Sequence, residues 1–235
     1  MLAKTEGFIL HNVKYGDASV ICKIFTRDFG LQSFIFQGIA SGKGKKVTRA
    51  HLTPLNLLEI DFYHHPVKNL KRAKEVVCNP ILHNLHTVPA KRALGGFIQE
   101  VLNRCIAEEE INAALYDLVK ETILLIENEE KVPEWLPHLF IIRLCRMLGH
   151  GIYADDYAQG KVFSIAEGGF TALLHAKQCL HPDMSHQFAM LLRDKQASLT
   201  FRKELLQSLI QFLQYHVIGS KPIQSIEIFS MVMAR

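Results

Sequence analysis

The sequence predicts an α+β chain, with a small closed or half-open β-barrel in its first third and a mostly α-helical remainder. Three observations carry this. Between Glu6 and Val77, short runs rich in Ile, Val, Phe and Leu are separated by turn residues at strand-length intervals. Beyond Asn79 and Pro80, apolar residues recur at helical spacing instead. With 49% of 235 residues hydrophobic, the chain can bury a large core or two to three smaller ones.

The strand runs are FILHNV, SVICKIFT, LQSFIFQ, LNLLEIDFYH and the more basic KNLKRAKEVV, broken at YGD, RDFG, GIASGKGKKVTRA and HHPVK. Four or five strands of this length fit a barrel better than alternating strand and helix. In LQSFIFQ, period-two alternation puts Phe34 and Phe36 on one face and Ser33 and Ile35 on the other. The two rings either fill the barrel or stack on a base. The chain then divides into 1–78, the barrel, and 79–235, the helical part. Leu118, Thr122 or Ile123, Leu125 and Ile126 form one apolar helix face, and ENEEKVPE is a polar stop. Residues 151–180 read as a short irregular or hairpin insertion. Helices resume at about 185–192 and 200–217, the latter with Thr200 as N-cap, Gly219 as C-cap and Pro222 as stop. IQSIEIFSMVM closes the chain as a short helix.

Composition excludes several classes. Cys22, Cys78, Cys105, Cys145 and Cys179 are widely spaced with no CxxC pair, which reads as buried thiols in a reducing compartment. No apolar run reaches membrane-spanning length, and the N-terminus lacks a secretory pattern, so a soluble cytoplasmic protein is expected. GKGKK is too short and wrongly ordered for a GxxxxGK[ST] phosphate loop, and HExxH, HxxEH and GxSxG are absent. The twelve histidines are scattered. His83 and His86 could share a helix face, and the adjacent Asp155 and Asp156 would diverge on a regular element. No catalytic residue, metal site or cofactor is expected, and the chain is not read as an enzyme.

Charge points to binding instead. Residues 1–80 hold twelve Lys or Arg against six Asp or Glu, whereas residues 81–235 hold fifteen against seventeen. A basic first third can neutralise phosphates. Lys43, Lys45, Lys46 and Arg49 cluster on a loop softened by Gly38, Gly42 and Gly44; Lys68, Lys71, Arg72 and Lys74 form a second cluster, and Arg27 sits in the RDFG turn. Basic loops and aromatics on a small barrel grip single strands without reading sequence. Plain solvated loop charge is the alternative for these residues.

Several features in order resemble the bacterial RecO recombination mediator family. They are Tyr15-Gly16-Asp17, Phe25-Thr26 with Phe29-Gly30, the break from Gly38 to Lys46, Leu52-Thr53-Pro54, KRAKEV at 71–76, LCRMLG at 144–149 and YHVIGSKPIQSIEIF at 215–229. The resemblance spans nearly the whole chain and implies that residues 1–78 form an oligonucleotide-binding (OB) barrel. It implies a non-enzymatic protein of DNA repair and recombination that binds single- and double-stranded DNA and anneals strands. Its implied partners are RecR, the C-terminal tail of single-stranded DNA-binding protein and, functionally, RecA. DNA contact then falls on Arg27, Lys43, Lys45, Lys46 and Arg49, with Lys71, Arg72 and Lys74 as a second bank; Phe34 and Phe36 are the stacking candidates. Some family members carry a four-cysteine zinc insertion after the LCRMLG helix. Here only Cys179 is near, so the insertion at 151–180 is expected to be zinc-free. The alternative from another class is a protein–protein scaffold with no direct nucleic-acid binding.

Overall fold

The computed structural model describes residues 1–39, 47–65, 69–106, 110–172, 178–193 and 199–233. The expected loop lysines Lys43, Lys45 and Lys46, and Lys68, lie outside the described residues. Packing divides the chain into two compact units, Met1–Glu129 and Glu130–Arg235.

The first unit opens with six strands: β1 (Leu2–Tyr15), β2 (Ser19–Thr26), β3 (Gly30–Phe36), β4 (Leu57–Tyr63), β5 (Leu70–Lys71) and β6 (Ala73–Cys78). They form one curled sheet in the order β5-β3-β2-β1-β4-β6. All neighbours are antiparallel except β3 and β5. The run KNLKRAKEVV, expected as a single strand, is split at Arg72 into β5 and β6, which join different neighbours. Strand alternation sends Ile9, Cys22, Ile24, Phe34, Leu58, Ile60, Phe62 and Val76 inward, where they form the barrel core.

The turns explain the sequence motifs. Tyr15-Gly16-Asp17 turns β1 into β2, with Gly16 at φ +62°. In the RDFG turn, buried Thr26 donates from Oγ1 to the Gly30 carbonyl at 2.8 Å and accepts from Phe29 N–H at 3.2 Å. Phe29 packs edge-on against Phe62, with centroids 5.2 Å apart. Gly30 has φ +64°, and a Cβ there would lie 2.5 Å from the Glu110 carbonyl oxygen. The turn therefore needs glycine twice over, for its backbone angle and for its close neighbour.

Helices α1 (Asn84–Thr87), α2 (Pro89–Cys105) and α3 (Ala113–Asn128) belong to the same unit as the sheet. Helices α2 and α3 cover the outer face at the middle of β1, where Gln99 of α2 donates to the Leu10 carbonyl and Phe8 stacks on Tyr116 of α3 and tilts against Phe25. The change from strand to helix near residue 79 thus precedes the division in packing by some fifty residues. The reason is that Phe8 and Phe25 face outward and need a cover. Glu127 at the end of α3 fastens this layer: its carboxylate accepts the backbone N–H groups of His83, Asn84 and Leu85 at 2.8–2.9 Å. Burial alone would raise its carboxyl, but the three donors hold it below the usual carboxylate range.

The second unit contains α4 (Leu136–Met147), a two-stranded hairpin β7 (Val162–Ser164) and β8 (Gly169–Thr171), then α5 (Pro182–Arg193), α6 (Arg202–Leu213) and α7 (Ser225–Met233). The region 151–180 is thus built around a short hairpin, seated by Phe163 and Phe170 against Phe188, with centroids 4.8 and 6.3 Å away. Thr200 does not cap α6. Phe201 holds the N-cap position with no side-chain cap bond, and its N–H is met by Gln187 Oε1 at 2.8 Å. Gly219 stands at the expected C-cap position, ending the turn Gln214–Ile218 that follows α6, at φ +70°, a backbone angle that favours glycine. Among the described residues no helix is long and apolar enough to cross a membrane.

Candidate nucleic-acid interface

The β1–β2 hairpin rises past the barrel core and forms one wall of its mouth. The register pairs Asn12 with Cys22 and Lys14 with Val20, and pairs Cys22 and Val20 in turn with Phe34 and Phe36. Lys14 therefore sits on the inward-facing side one step above the filled core. A short 3-10 turn (Ala50–Leu52) lies across from it. Asn12 Nδ2 donates to the Leu52 carbonyl at 2.7 Å, and Ile39 N–H donates to the Ala18 carbonyl at 2.9 Å. These bonds draw the hairpin and the opposite side together. Between them lies a cavity of about 240 Å³ with Val20, Ile39 and Leu52 as apolar lining and Lys14, Asp17, Ser19 and Arg49 as polar lining.

Arg49 and Lys14 are exposed, and neither side chain makes an ion pair or hydrogen bond among the described residues. Ile39 and Val47, which flank the loop lysines in sequence, both pack on the barrel core. Tyr15 closes the hairpin opposite Ser19 and is 56% exposed. Sequence reasoning used Tyr15 only as part of the Tyr15-Gly16-Asp17 turn and passed over Lys14. The available signal was an aromatic and a lysine directly before a glycine turn, on a strand long enough to overshoot its partners.

The remaining expected contacts separate. Arg27 lies at the opposite end of β2, roughly 25 Å from the mouth at ~3.3 Å per strand residue. It is held bidentately by Asp117 of α3, with Nε and Nη2 each 3.0 Å from a carboxylate oxygen. Those hydrogen bonds raise the Arg27 pKa and lower that of Asp117. Lys71 is buried, because β5 pairs it with Phe34 and so turns it toward the barrel interior. Arg72 and Lys74 are exposed, and among the described residues their side chains make no ion pair or hydrogen bond. The proposed stacking rings are corrected by burial. Phe34 is 0% and Phe36 7% exposed, and Phe34 meets Phe62 edge-on with centroids 5.3 Å apart. Neither ring has a free face for a base.

The outer wall formed by β1, β4 and β6 has the opposite character. Lys4, Asp61 and Glu75 align across the ladder, as do Glu6, Glu59 and Val77. Lys4 pairs with Glu59 at 3.1 Å and Lys120 of α3 with Glu6 at 2.6 Å. Asn79 and Lys4 hydrogen bonds hold Glu59 below the usual carboxylate range.

A second cavity of about 370 Å³ lies beside His51, Asn56, Cys78, Leu82 and His86. The Asn56 amide nitrogen donates to the Ala50 and His51 carbonyls, so its oxygen accepts from His86 Nε2 at 2.7 Å. Burial lowers the His86 pKa and favours the neutral ring. Among the described residues no three His, Cys, Asp or Glu side chains converge as a metal site.

A curled six-stranded sheet with an OB-like barrel shape, opening an otherwise helical chain, places the protein in an α+β class with an oligonucleotide-binding type of N-terminal domain. Comparison with known proteins narrows the class. The family model described as recombination protein O N terminal matches residues 1–80, and the one described as recombination protein O C terminal matches residues 87–222. The chain belongs to the RecO family of DNA repair proteins. It is 29% identical over 243 residues to the DNA repair protein RecO of Flavobacterium psychrophilum, with both chains covered in full. The protein of that name from Bacteroides fragilis is 31% identical over 196 residues, covering 82% of this chain and 80% of the relative. That of Azobacteroides pseudotrichonymphae is 25% identical with 99% of each chain covered.

Proposed function

We propose that the protein is a recombination mediator that grips DNA strands at the barrel mouth. It anneals complementary strands and helps load the RecA recombinase together with RecR and the tail of single-stranded DNA-binding protein. In this reading residues 1–78 form the DNA-binding barrel. Residues 79–235, with a zinc-free insertion at about 151–180, recruit the partners. The work is electrostatic and geometric, with no covalent step. The observation that carries the reading is the pair of exposed cations, Lys14 and Arg49, on either side of the mouth cavity, whose side chains have no ion-pair partner among the described residues. Lys43, Lys45 and Lys46 extend this bank in the sequence between Ile39 and Val47, Arg72 and Lys74 supply a second, and Tyr15 replaces Phe34 and Phe36 as the exposed ring for stacking.

Counterion release makes the reading measurable. Each phosphate contact on single-stranded DNA contributes about 0.7 to the slope of log affinity against log salt. Removing Lys14 and Arg49 together by alanine substitution lowers that slope by about 1.4 if each holds one phosphate. Fluorescence anisotropy with a labelled single-stranded oligonucleotide across a salt series measures it. An unchanged slope and affinity would remove the mouth from the DNA path. Absence of salt-dependent binding to the oligonucleotide would favour a protein–protein scaffold with no direct nucleic-acid contact.

A further inference from the structure

The mouth cavity has a two-layered chemistry that bare phosphate neutralisation does not require. Its floor is apolar, made by Val20, Ile39 and Leu52, of which Ile39 and Leu52 are almost fully buried. The Asn12 Nδ2 donor, which also lines the cavity, is already used on the Leu52 carbonyl at 2.7 Å. Among the described lining residues the cations are Lys14 and Arg49, beside Ser19 and Asp17. A phosphate has no reason to descend to an apolar floor, since burying its charge there is costly. A flat, largely apolar ring with a few polar edge atoms matches it.

Size limits the occupant. About 240 Å³ falls below the ~300–1,000 Å³ usual for drug-sized ligands, so the cavity suits one base and not a stacked pair. The cavity is also assembled before any ligand arrives, because two hydrogen bonds tie its walls together: Asn12 to Leu52 and Ile39 to Ala18. A pre-formed site loses little freedom on binding.

Resting on the DNA-binding reading above, we propose that the barrel mouth receives a single unstacked nucleotide of a DNA strand. The base lies against Val20, Ile39 and Leu52, and the adjoining backbone phosphate lies between Lys14 and Arg49. A base within a duplex is paired and stacked, and must leave both partners to enter. A base of a single strand need only unstack. The cavity thus gives the protein a preference for single-stranded over double-stranded DNA that charge alone does not supply.

The test compares two oligonucleotides of equal length and charge, one ordinary and one carrying abasic spacers throughout, by fluorescence anisotropy with the full chain. The wild-type protein is expected to bind the ordinary strand about tenfold more tightly. Ala18→Phe, which projects a ring from the cavity wall, is expected to bring the affinity for the ordinary strand down to that for the abasic strand. Circular dichroism confirms that the variant is folded. Equal wild-type affinity for the two strands overturns the nucleotide site without needing any variant. A folded Ala18→Phe protein that keeps the full preference overturns it as well. Both outcomes leave salt-dependent DNA binding standing, whereas absence of salt-dependent binding to either strand removes the DNA-binding reading itself.

Discussion

The two ends of β2 use positive charge in opposite ways. At the turn end, Arg27 is locked onto Asp117, and nearby Lys120 is locked onto Glu6. At the mouth end, Lys14 and Arg49 have no carboxylate partner among the described residues, although Asp17 lines the same cavity. All four are basic residues of one compact unit, and a count of charge treats them alike. What separates them is whether the fold has placed a carboxylate within hydrogen-bonding distance and, for Arg27, the length of β2 that lies between it and the mouth. A cation already paired offers a polyanion less net charge and must break existing bonds to form new ones. The surplus of six in the first eighty residues is therefore a ceiling on the binding charge, and the part that matters is the part left over after local pairing.

The largest expected effect lies beneath the mouth. Phe34→Ala empties the centre of the barrel core and is expected to cost about 3–5 kcal/mol of stability, the usual range for a buried phenylalanine. If Phe34 instead stacked on DNA, the variant would stay stable and lose affinity. Urea unfolding and anisotropy on the same sample distinguish these, and a stability loss below ~1 kcal/mol would contradict the packing described here.

Charge fully spent inside the fold is represented by Glu127. Its carboxyl is held below the ordinary value in the folded chain, so the stability it contributes is present above the unfolded-state pKa. That stability is lost as pH falls through the lower, folded-state value. Glu127→Gln is expected to cost roughly 2 kcal/mol at pH 7, the scale of hydrogen bonds to a charged group. The variant should also lose less additional stability on acidification than the wild type. Urea midpoints at pH 7 and in the acid range measure both. An equal deficit at the two ends would mean that shape, not charge, is what Glu127 supplies.

Much of the barrel could be read from the sequence because strand alternation and glycine turns are local. SVICKIFT is β2 to the residue, and YGD and RDFG are the hairpin turns. The opposite was true of anything fixed by a distant partner. Lys71 is buried only because β5 runs beside β3, and nothing in KNLKRAKEVV announces a break into two strands with different neighbours. Asp117 lies ninety residues from Arg27, so their pairing had no local signature. Phe34 and Phe36 share a face, as alternation requires, yet which face points inward is decided by the closure of the sheet. The cavity at the mouth depends on β1 outrunning the core and on the turn at Ala50–Leu52 crossing above it, and both are relations between segments.

The smallest expected effect is the most direct test of paired against unpaired charge. Arg27→Ala removes a cation whose charge is already matched by Asp117 and which has Asp28 and Glu6 as further acidic neighbours. Its salt slope for single-stranded DNA should stay within one contact of wild type, that is, change by less than about 0.7. Asp117→Asn provides the converse, leaving the guanidinium without its counter-charge. The slope should still not rise, because Arg27 lies at the far end of β2 from the mouth. A drop of about 0.7 in Arg27→Ala would show DNA reaching the turn end through an ion pair that opens on binding. A rise of the same size in Asp117→Asn alone would show instead that pairing, and not distance, keeps Arg27 off the strand.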